Sequence, residues 1–321
     1  MKPGYQRLYE QGILNERAGT LARLMRDCTL CPRKCRVDRL SGERGFCGLG
    51  GSVILNRGLP HHGEEPPISG SRGAGTIFFS SCNLRCSYCQ NYQISHRAKG
   101  RVVDSKDLSG LMLSLQERGC HNIDAVTATP HLAGFSEALD DACGKGLTIP
   151  IVYNSSGYEN PEVVMLLDGM VDLYLPDFKY GNDNDARLFS SVGDYCSFAV
   201  PALKEMVRQV GDSLDMVDGI ARRGIIVRHL ILPGRVENSL QVLRLIKRNI
   251  STSVSLSIMS QYTPIPALEG HPLMGRRITE EEYERVVNEA LDMGFDTIFA
   301  QEVSDNHMAP DFDRDTPFLW G

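Results

Sequence analysis

The sequence predicts an α/β fold of repeated βα units around a parallel sheet, preceded by a small cysteine-rich segment. Two observations predict this architecture. Past residue 74, short β-rich apolar runs alternate with helical patterns, and four of the ten cysteines fall between residues 28 and 47. Such parallel repeats either open into a doubly wound sheet or close partway into a barrel, with the active site at the carboxyl ends of the strands in both cases.

Six apolar runs predict the strands of the sheet. Each run is short and rich in β-branched and aromatic residues, as buried parallel strands are. The runs cover residues 75–80, 123–128, 149–154, 171–177, 224–232 and 253–259, and a seventh short strand is expected over 297–303.

Helical spacing of apolar residues predicts the connections between these strands. Leu108 and Leu115 lie on one face of a helix that Gly119 ends. The clearest helix is the last, because Thr279 and Glu282 form a capping-box pattern in front of its apolar residues.

The first part of the chain differs from the βα repeats. One helical stretch, 13–26, precedes the four cysteines and a connector rich in glycine and proline, "HHGEEPPISGSRGAG". We therefore predict two domains, a metal-binding segment over 1–70 and a core over 71–321. Four polar residues of the connector either face the barrel mouth and contact substrate or form an ordinary solvated loop; these are His61, His62, Glu64 and Glu65.

Composition narrows the class of protein. The chain has 321 residues, 42% of them hydrophobic, which is enough for one large core. No apolar run approaches the roughly 20 residues of a membrane-spanning helix, and the first residues, "MKPGYQRLYEQG", lack an apolar signal region. We therefore expect a cytoplasmic protein, with no membrane partner and with its clustered cysteines as metal ligands rather than disulfides. The net charge of -6 gives no reason to expect nucleic-acid binding.

Polar residues collect at the carboxyl ends of the predicted strands, where a barrel-mouth site would lie. The first strand leads into "SSCNLRCSYCQN", which holds Cys82, Cys86 and Cys89. The following strand ends carry "TATPH" (127–131), "NSSGY" (154–158), "PDFKY" (176–180), "RHLILPG" (228–234) and "SQYTP" (260–264).

Three cysteines at a strand end provide one ligand too few for a closed metal site. Structural zinc takes four ligands, and only His96 lies near enough in sequence to be a fourth. Iron-sulfur cubanes also usually take four cysteines. Three cysteines on a 4Fe-4S cluster leave one iron open, and an open iron can bind a ligand.

The spacing CxxxCxxC with Tyr88 before the third cysteine resembles the motif of radical S-adenosylmethionine (radical SAM) enzymes. The resemblance implies a partial (β/α)6 barrel and a 4Fe-4S cluster whose open iron chelates SAM. One-electron reduction then yields a 5′-deoxyadenosyl radical that abstracts hydrogen from a substrate. "VDLYLPDFKYG", "VRHLILPG" and the N-terminal "CTLCPRKCRVDRLSGERGFCG" resemble the pyruvate formate-lyase activating enzyme and its uncharacterised PflX-like relatives.

The resemblance also assigns roles to residues of this chain. Cys82, Cys86 and Cys89 would hold the cluster, and Tyr88 would lie against the adenine. The Gly-Gly-Glu stretch that binds the SAM amino group in the family is not matched, because residues 127–131 read "TATPH". The other expected SAM contacts are Thr127, Thr129, Asn154, Ser156, Asp177, Lys179 and Arg228. For Asp177 and Lys179 the alternative is an ion pair that orders the rim of the barrel.

The N-terminal cysteines follow the pattern CxxCxxxC with a fourth cysteine after eleven residues. These four residues, Cys28, Cys31, Cys35 and Cys47, supply the thiolates of a closed site. Structural zinc and an auxiliary iron-sulfur cluster both fit such a set. In either case the metal would stabilise a segment too small to hold a core alone.

The resemblance implies a radical SAM oxidoreductase that activates a glycyl radical enzyme, with a flavodoxin or ferredoxin as electron donor. An exposed cluster with an open iron is oxygen-labile, which points to anaerobic function. The competing enzymatic interpretation is modification of a small molecule, an RNA or another protein residue. A non-enzymatic alternative is an iron-sulfur electron-transfer or zinc-binding adaptor protein.

Overall fold

A computed structural model describes residues 2–303 and 309–318. Its centre is one twisted sheet of ten strands. The strands are β1 (Val53–His61), β2 (Ala74–Phe79), β3 (Arg101–Val103), β4 (Ile123–Val126), β5 (Ile151–Ser155), β6 (Leu173–Pro176), β7 (Asp215–Val217), β8 (Ile220–Leu230), β9 (Ser255–Met259) and β10 (Ile298–Ala300).

The strands lie in the order β10-β9-β8-β6-β5-β4-β2-β1-β3, with β7 paired to β8. Neighbours from β2 through β10 in this order are parallel, and β1 pairs antiparallel with both β2 and β3. The parallel strands are those predicted from the apolar runs, so the α/β class is confirmed. The open strand order agrees with a barrel that closes only partway.

Eleven helices flank the described sheet. They are α1 (Gly4–Glu10), α2 (Ile13–Leu24), α3 (Pro66–Ser69), α4 (Tyr92–Ser95), α5 (Ser105–Glu117), α6 (Leu132–Gly144), α7 (Pro161–Met165), α8 (Asp183–Ser190), α9 (Tyr195–Val210), α10 (Val236–Asn249) and α11 (Glu280–Asp292). In the part of the chain that the structure describes, every helix is too short or too polar to span a bilayer.

Local sequence signals account for the ends of several helices. The Asp104 side chain accepts a hydrogen bond from the Asp107 backbone N–H and so caps α5. The capping box predicted at α11 is present, with reciprocal bonds between Thr279 and Glu282. Helices α5 and α11 therefore begin where side-chain acceptors replace missing backbone partners.

Three strands were not predicted: β1, β3 and β7. β1 lies within the predicted 1–70 segment and ends at His61, where the glycine- and proline-rich connector begins, and its partly exposed residues do not alternate between apolar and polar. Its pairing with β2 is a long-range hydrogen-bonding pattern that local sequence does not reveal.

The N-terminal helices pack onto the core of the sheet. Tyr5 is buried, and its hydroxyl donates to the Ile149 carbonyl at 3.0 Å. Leu14 and Leu21 belong to the same apolar cluster as the strand residues Ile77 and Ile123. The predicted division into 1–70 and 71–321 stays a prediction.

Helix α3 covers the amino ends of the strands. The Asn122 side-chain amide donates to the Ile68 carbonyl at 2.8 Å, immediately before β4. The side chain of Ile220, the first residue of β8, lies against Gly70 at the end of α3. One end of the sheet is therefore plugged, and the opposite end carries the polar loops.

Candidate active site

The loop after β2 holds the cysteine triplet in a constrained backbone. Ser81 and Arg85 both have positive φ, 73° and 54°, a conformation that side chains other than glycine rarely adopt. The Ser81 backbone N–H donates to the Ile94 carbonyl at 2.9 Å, and the Leu84 N–H donates to Cys82 Sγ at 3.3 Å. Strain of this kind clusters at functional sites and requires support from the surrounding structure.

All three cysteines of this loop line one cavity of about 310 Å³. Burial, together with the neighbouring Cys86, raises the pKa of Cys82 to about 11 and that of Cys89 to about 12. The surroundings alone therefore favour neutral thiols, and thiolates here need the positive charge of a bound metal. Three thiols that open onto a roomy cavity fit a cluster that keeps one position for a ligand.

The same cavity gathers nearly every residue expected to contact SAM. Side chains from the ends of β4, β5, β6 and β8 converge on it, as the topology of parallel strands requires. The expected residues that line it are Tyr88, Thr127, Asn154, Ser156, Asp177, Lys179 and Arg228.

Residue Thr127 lies directly after β4 and has a positive φ of 60°. Its backbone N–H donates to the Asn154 carbonyl at 2.9 Å, which joins the ends of β4 and β5. A non-glycine residue in this conformation costs free energy, on the order of 1–3 kcal/mol. The turn therefore places Thr127 at the cavity at the expense of local strain.

The end of β5 approaches β6 closely at Gly157. A Cβ at this position would collide with the Asp177 carbonyl oxygen, and the φ of +73° also favours glycine. Glycine thus lets Ser156 and Asp177 lie side by side at the cavity wall.

Asp177 and Lys179 form an ion pair in the cavity wall, with 2.5 Å between Lys179 Nζ and Asp177 Oδ2. Burial alone would lower the pKa of Lys179, but the charge of Asp177 outweighs this and raises it above its ordinary value. Lys179 is therefore a permanent positive charge beside the triplet. A charge in this position suits both an ordered rim and the carboxylate of a bound ligand.

Thr129 does not line the cavity. Its hydroxyl donates to Glu159 Oε1 at 2.7 Å and accepts from the Tyr153 hydroxyl at 3.0 Å. Burial raises the pKa of Glu159 to about 8, so this carboxyl is largely protonated at neutral pH. Of the two threonines expected to contact SAM, the structure brings Thr127 to the cavity and places Thr129 in a buried polar group behind it.

Arg228 reaches the cavity from β8 and meets two glutamates of the connector between β1 and α3. Its Nε donates to Glu65 Oε1 at 2.8 Å, and its Nη2 contacts both Glu64 and Glu65. Within the described residues, its Nη1 makes no hydrogen bond.

Several cavity residues were not singled out from the sequence. Gln90 follows the third cysteine, and its amide donates to the Gln261 carbonyl at 2.6 Å. Ser257 of β9 and Gln301 after β10 also line the cavity. The polar "SQYTP" at the end of β9 was the available signal for Gln261, whereas the alternation of Ser255, Leu256 and Ser257 gave none for a site.

The four N-terminal cysteines line a second, much smaller cavity of about 20 Å³. The chain around them turns back on itself, since the Arg36 N–H donates to the Cys28 carbonyl at 3.1 Å. The Phe46 N–H donates to Cys35 Sγ at 3.3 Å. A Cβ on Gly45 would lie 2.7 Å from the Cys35 Cβ, so glycine permits this close approach.

Direct contacts join the two cysteine loops. The Arg33 guanidinium donates to the Asn83 carbonyl at 3.0 Å and lies 3.6 Å from the centre of the Phe46 ring. Arg85 Nη2 donates to the Cys47 carbonyl at 3.1 Å. The N-terminal loop is therefore a neighbour of the triplet and covers one side of it.

The cysteines of each loop share a cavity without enclosing a single ion. Within residues 2–303 and 309–318, no three His, Cys, Asp or Glu side chains are grouped as a site for one metal ion. A cubane spreads its cysteine ligands over separate irons. The arrangement of the triplet is compatible with that distribution.

Comparison with protein-family models decides the family. The model described as "Radical SAM superfamily" matches residues 76–247. The chain belongs to the radical SAM superfamily. Members of this superfamily use a 4Fe-4S cluster and SAM for radical chemistry and require a reductant such as flavodoxin or ferredoxin. The match begins within β2 and includes the triplet and the ends of β4, β5, β6 and β8 that line the larger cavity.

Among curated proteins, the uncharacterized protein MJ0674 of Methanocaldococcus jannaschii is 29% identical over 286 residues. That alignment covers 86% of this chain and 78% of the relative. Among solved structures, methylornithine synthase (PylB) matches 68% of this chain and 61% of its own, with 17% identity and a TM-score of 0.47. SuiB of Streptococcus suis matches 71% of this chain and 48% of its own, with 10% identity and a TM-score of 0.45. The chain thus spans about half of SuiB and three-fifths of PylB.

Proposed function

We propose that this radical SAM protein is an enzyme that reductively cleaves SAM and abstracts hydrogen from a substrate bound in the larger cavity. The observation that carries this proposal is the placement of Cys82, Cys86 and Cys89 at the carboxyl end of β2, open to that cavity. A 4Fe-4S cluster held by these three cysteines would supply one electron to SAM, and reductive cleavage would then give methionine and a 5′-deoxyadenosyl radical.

The chain's own residues bind and orient SAM. We assign Tyr88 to the adenine, since its ring is buried and lines the cavity beside the triplet. Asn154 and Ser156 offer an amide and a hydroxyl as hydrogen-bonding groups at the end of β5. Lys179 offers a positive charge for a carboxylate.

Apolar side chains shield the radical from the surrounding solution. Phe78 and Val126 line the cavity from neighbouring strands, and Phe318 packs against Phe78 with 5.5 Å between ring centres. Exclusion of dissolved oxygen, reductants and other hydrogen-atom donors directs a reactive intermediate to the bound substrate.

We further propose that the four N-terminal cysteines bind a second metal centre, either an auxiliary iron-sulfur cluster or zinc, the latter requiring the four thiols to move together around one ion. The supporting observation is that all four thiols line one small cavity. Its small volume suits a closed centre without a substrate position. The backbone N–H bond to Cys35 Sγ is of the kind that orients a thiolate ligand.

For the substrate, we propose a glycyl radical enzyme, activated by hydrogen abstraction from a glycine. The support is the likeness of residues 171–181 and 227–234 to the corresponding strands of the pyruvate formate-lyase activating enzyme. A flavodoxin or ferredoxin would supply the electron.

The test uses anaerobically reconstituted enzyme with SAM, a chemical reductant and host-cell extract divided by size. The product 5′-deoxyadenosine is quantified above a baseline without extract. Stimulation by the macromolecular fraction, followed by a glycyl-radical signal in that fraction, is expected.

Two results would contradict parts of this proposal. Stimulation by the metabolite fraction alone would replace the glycyl substrate with a small molecule. The absence of product with either fraction, with the cluster and SAM present, would contradict the enzymatic proposal itself. Loss of the stimulation after nuclease treatment of the macromolecular fraction would identify an RNA substrate instead.

A further inference from the structure

The larger cavity has an acidic end formed by the connector between β1 and α3. Residues 63–66 of the connector line it and lead into α3, which covers the amino ends of β4 and β8. The triplet instead follows the carboxyl end of β2. The cavity therefore includes both the cysteines and the connector, and Arg228, which meets the connector, pairs along the backbone with Asp177 after β6.

Two carboxylates and one guanidinium form this acidic end. Arg228 is bound by both carboxylate oxygens of Glu65 and by one oxygen of Glu64. The side chains of Arg228, Glu64 and Glu65 are only 11%, 8% and 7% exposed, so bulk water screens them little. Their charges act mainly on one another and on whatever occupies the cavity.

These charges do not balance. Burial would raise the pKa of Glu64, but the charge of Arg228 outweighs this and lowers it, so Glu64 is ionised. Both oxygens of Glu65 accept hydrogen bonds from the Arg228 guanidinium, as those of a carboxylate do. One positive charge thus faces two negative charges.

Within residues 2–303 and 309–318, the neighbouring titratable groups do not offset this excess negative charge. Burial lowers the pKa of His61, which lies 3.7 Å from Glu64, so the imidazole is neutral at pH 7. Burial and the charge of Glu64 raise the pKa of Asp124, which keeps that carboxyl protonated behind Glu64. Asp177 is already paired with Lys179.

An unbalanced charge in a shielded cavity is unfavourable until a partner of opposite sign arrives. A cation entering this end would meet Glu64 and Glu65 already held in place by Arg228, so little ordering would be needed on binding. An anion would meet a net negative charge. The arrangement of these charges therefore favours a positively charged ligand over a negatively charged one.

We propose that Glu64 and Glu65, held by Arg228, bind an ammonium or guanidinium group of the hydrogen-donating substrate. This inference rests on the proposed function, because it concerns the substrate of the same cavity. Binding of this kind would orient the substrate so that the charged group lies at the connector and the reacting carbon faces the triplet.

The test measures binding of model cations by calorimetry to unreduced, reconstituted enzyme saturated with SAM. The probes are n-butylguanidinium and n-butylammonium, with n-butylurea as a neutral analogue and butyrate as an anion. We expect the cations to bind and the other two to bind at least about tenfold more weakly. This comparison uses the wild-type protein and so does not depend on the folding of any variant.

Variants then locate the binding site. Glu64→Gln and Glu65→Gln should each weaken cation binding by about tenfold, whereas Glu281→Gln on the exposed face of α11 should leave it unchanged. Circular dichroism and iron content would show that each variant folds and retains its cluster. Affinity for SAM, measured without a probe, should be the same in wild type and Glu65→Gln.

Several results would overturn the inference: equal binding of n-butylurea, preferential binding of butyrate, or cation binding unchanged in both glutamine variants. A parallel loss of SAM affinity in Glu65→Gln would assign the positive group to SAM itself. An enzyme that cleaves SAM without preferring the cations contradicts this inference alone. One that prefers the cations and never cleaves SAM contradicts the proposed function alone.

Discussion

The two cysteine loops touch each other yet open onto very different spaces. The triplet after β2 lines a cavity of about 310 Å³, while the four N-terminal cysteines line one of about 20 Å³. The larger cavity also collects polar and charged side chains from the ends of β4, β5, β6, β8, β9 and β10. In the proposed assignment, the space in front of the thiols, together with their number, distinguishes the reactive centre from the closed one.

The largest expected effect comes from the triplet. Cys86→Ala should reduce 5′-deoxyadenosine formation by about a hundredfold or more, because a lost ligand affects a metal centre at least as strongly as a lost partner of a ligand does. Product is quantified after anaerobic reduction with SAM. Cys120→Ala removes a buried cysteine outside both loops and should keep activity near that of wild type. Equal activity in the two variants would refute the role of the triplet.

A substitution in the N-terminal cysteine loop should lower the stability of the protein. Cys35→Ser is expected to remove the second metal and lower the free energy of unfolding by about 3 kcal/mol or more, since metal binding contributes directly to folding. Metal content and thermal unfolding report both effects. Affinity for SAM should persist, because the triplet is unaltered. A variant that keeps the metal and loses SAM would reverse the assignment of the two loops.

The stability of the protein should depend on pH through His229, a buried residue of β8 outside both cysteine loops. Burial lowers the pKa of His229 to about 4, and its ring nitrogens bond to the Phe178 carbonyl and the Ser239 hydroxyl. In the unfolded chain the imidazole has its ordinary pKa of about 6.5, so below that pH the unfolded state binds a proton that the folded state does not. The free energy of unfolding is therefore highest above about pH 6.5 and declines as the pH falls toward about 4. The loss should approach about 3 kcal/mol.

Denaturant unfolding between pH 7 and pH 4 measures this effect. His229→Gln retains a hydrogen-bonding side chain without a titrating ring and should show a flatter decline than wild type. An identical pH dependence in the two proteins would exclude His229 as its source.

The smallest expected effect concerns the contact between the loops. Arg33→Ala removes the guanidinium that bonds to Asn83 and Ser191 and stacks on Phe46. We expect a loss of about 2 kcal/mol in stability, as for hydrogen bonds to charged groups. Arg44→Ala, an exposed arginine of the same loop, serves as the matched control. Equal stability of the two variants would show that the loops are energetically independent.

Sequence patterns predicted the elements whose signals are local. The apolar runs identified the parallel strands, and the Thr279–Glu282 pair identified the start of α11. Because parallel strands end at one edge, the residues after each strand could be expected to converge, and all but Thr129 of those expected to contact SAM line the cavity.

Contacts between distant segments could not be predicted in the same way. Arg228 and Glu65 are separated by 163 residues, and nothing in either local sequence specifies the partner. Thr127 and Thr129 are of one residue type and two positions apart, yet the turn at Thr127 directs them to different surroundings. Their placement depends on the three-dimensional packing of β4 and β5.

Electron paramagnetic resonance of the reduced, reconstituted enzyme, recorded with and without SAM, tests the central claim most directly. If the triplet holds a cluster with an open iron, SAM should change the cluster signal in wild type and in Cys35→Ser, and Cys86→Ala should show no such change. A wild-type signal that SAM leaves unchanged, or a response that Cys35→Ser abolishes and Cys86→Ala retains, would contradict the account.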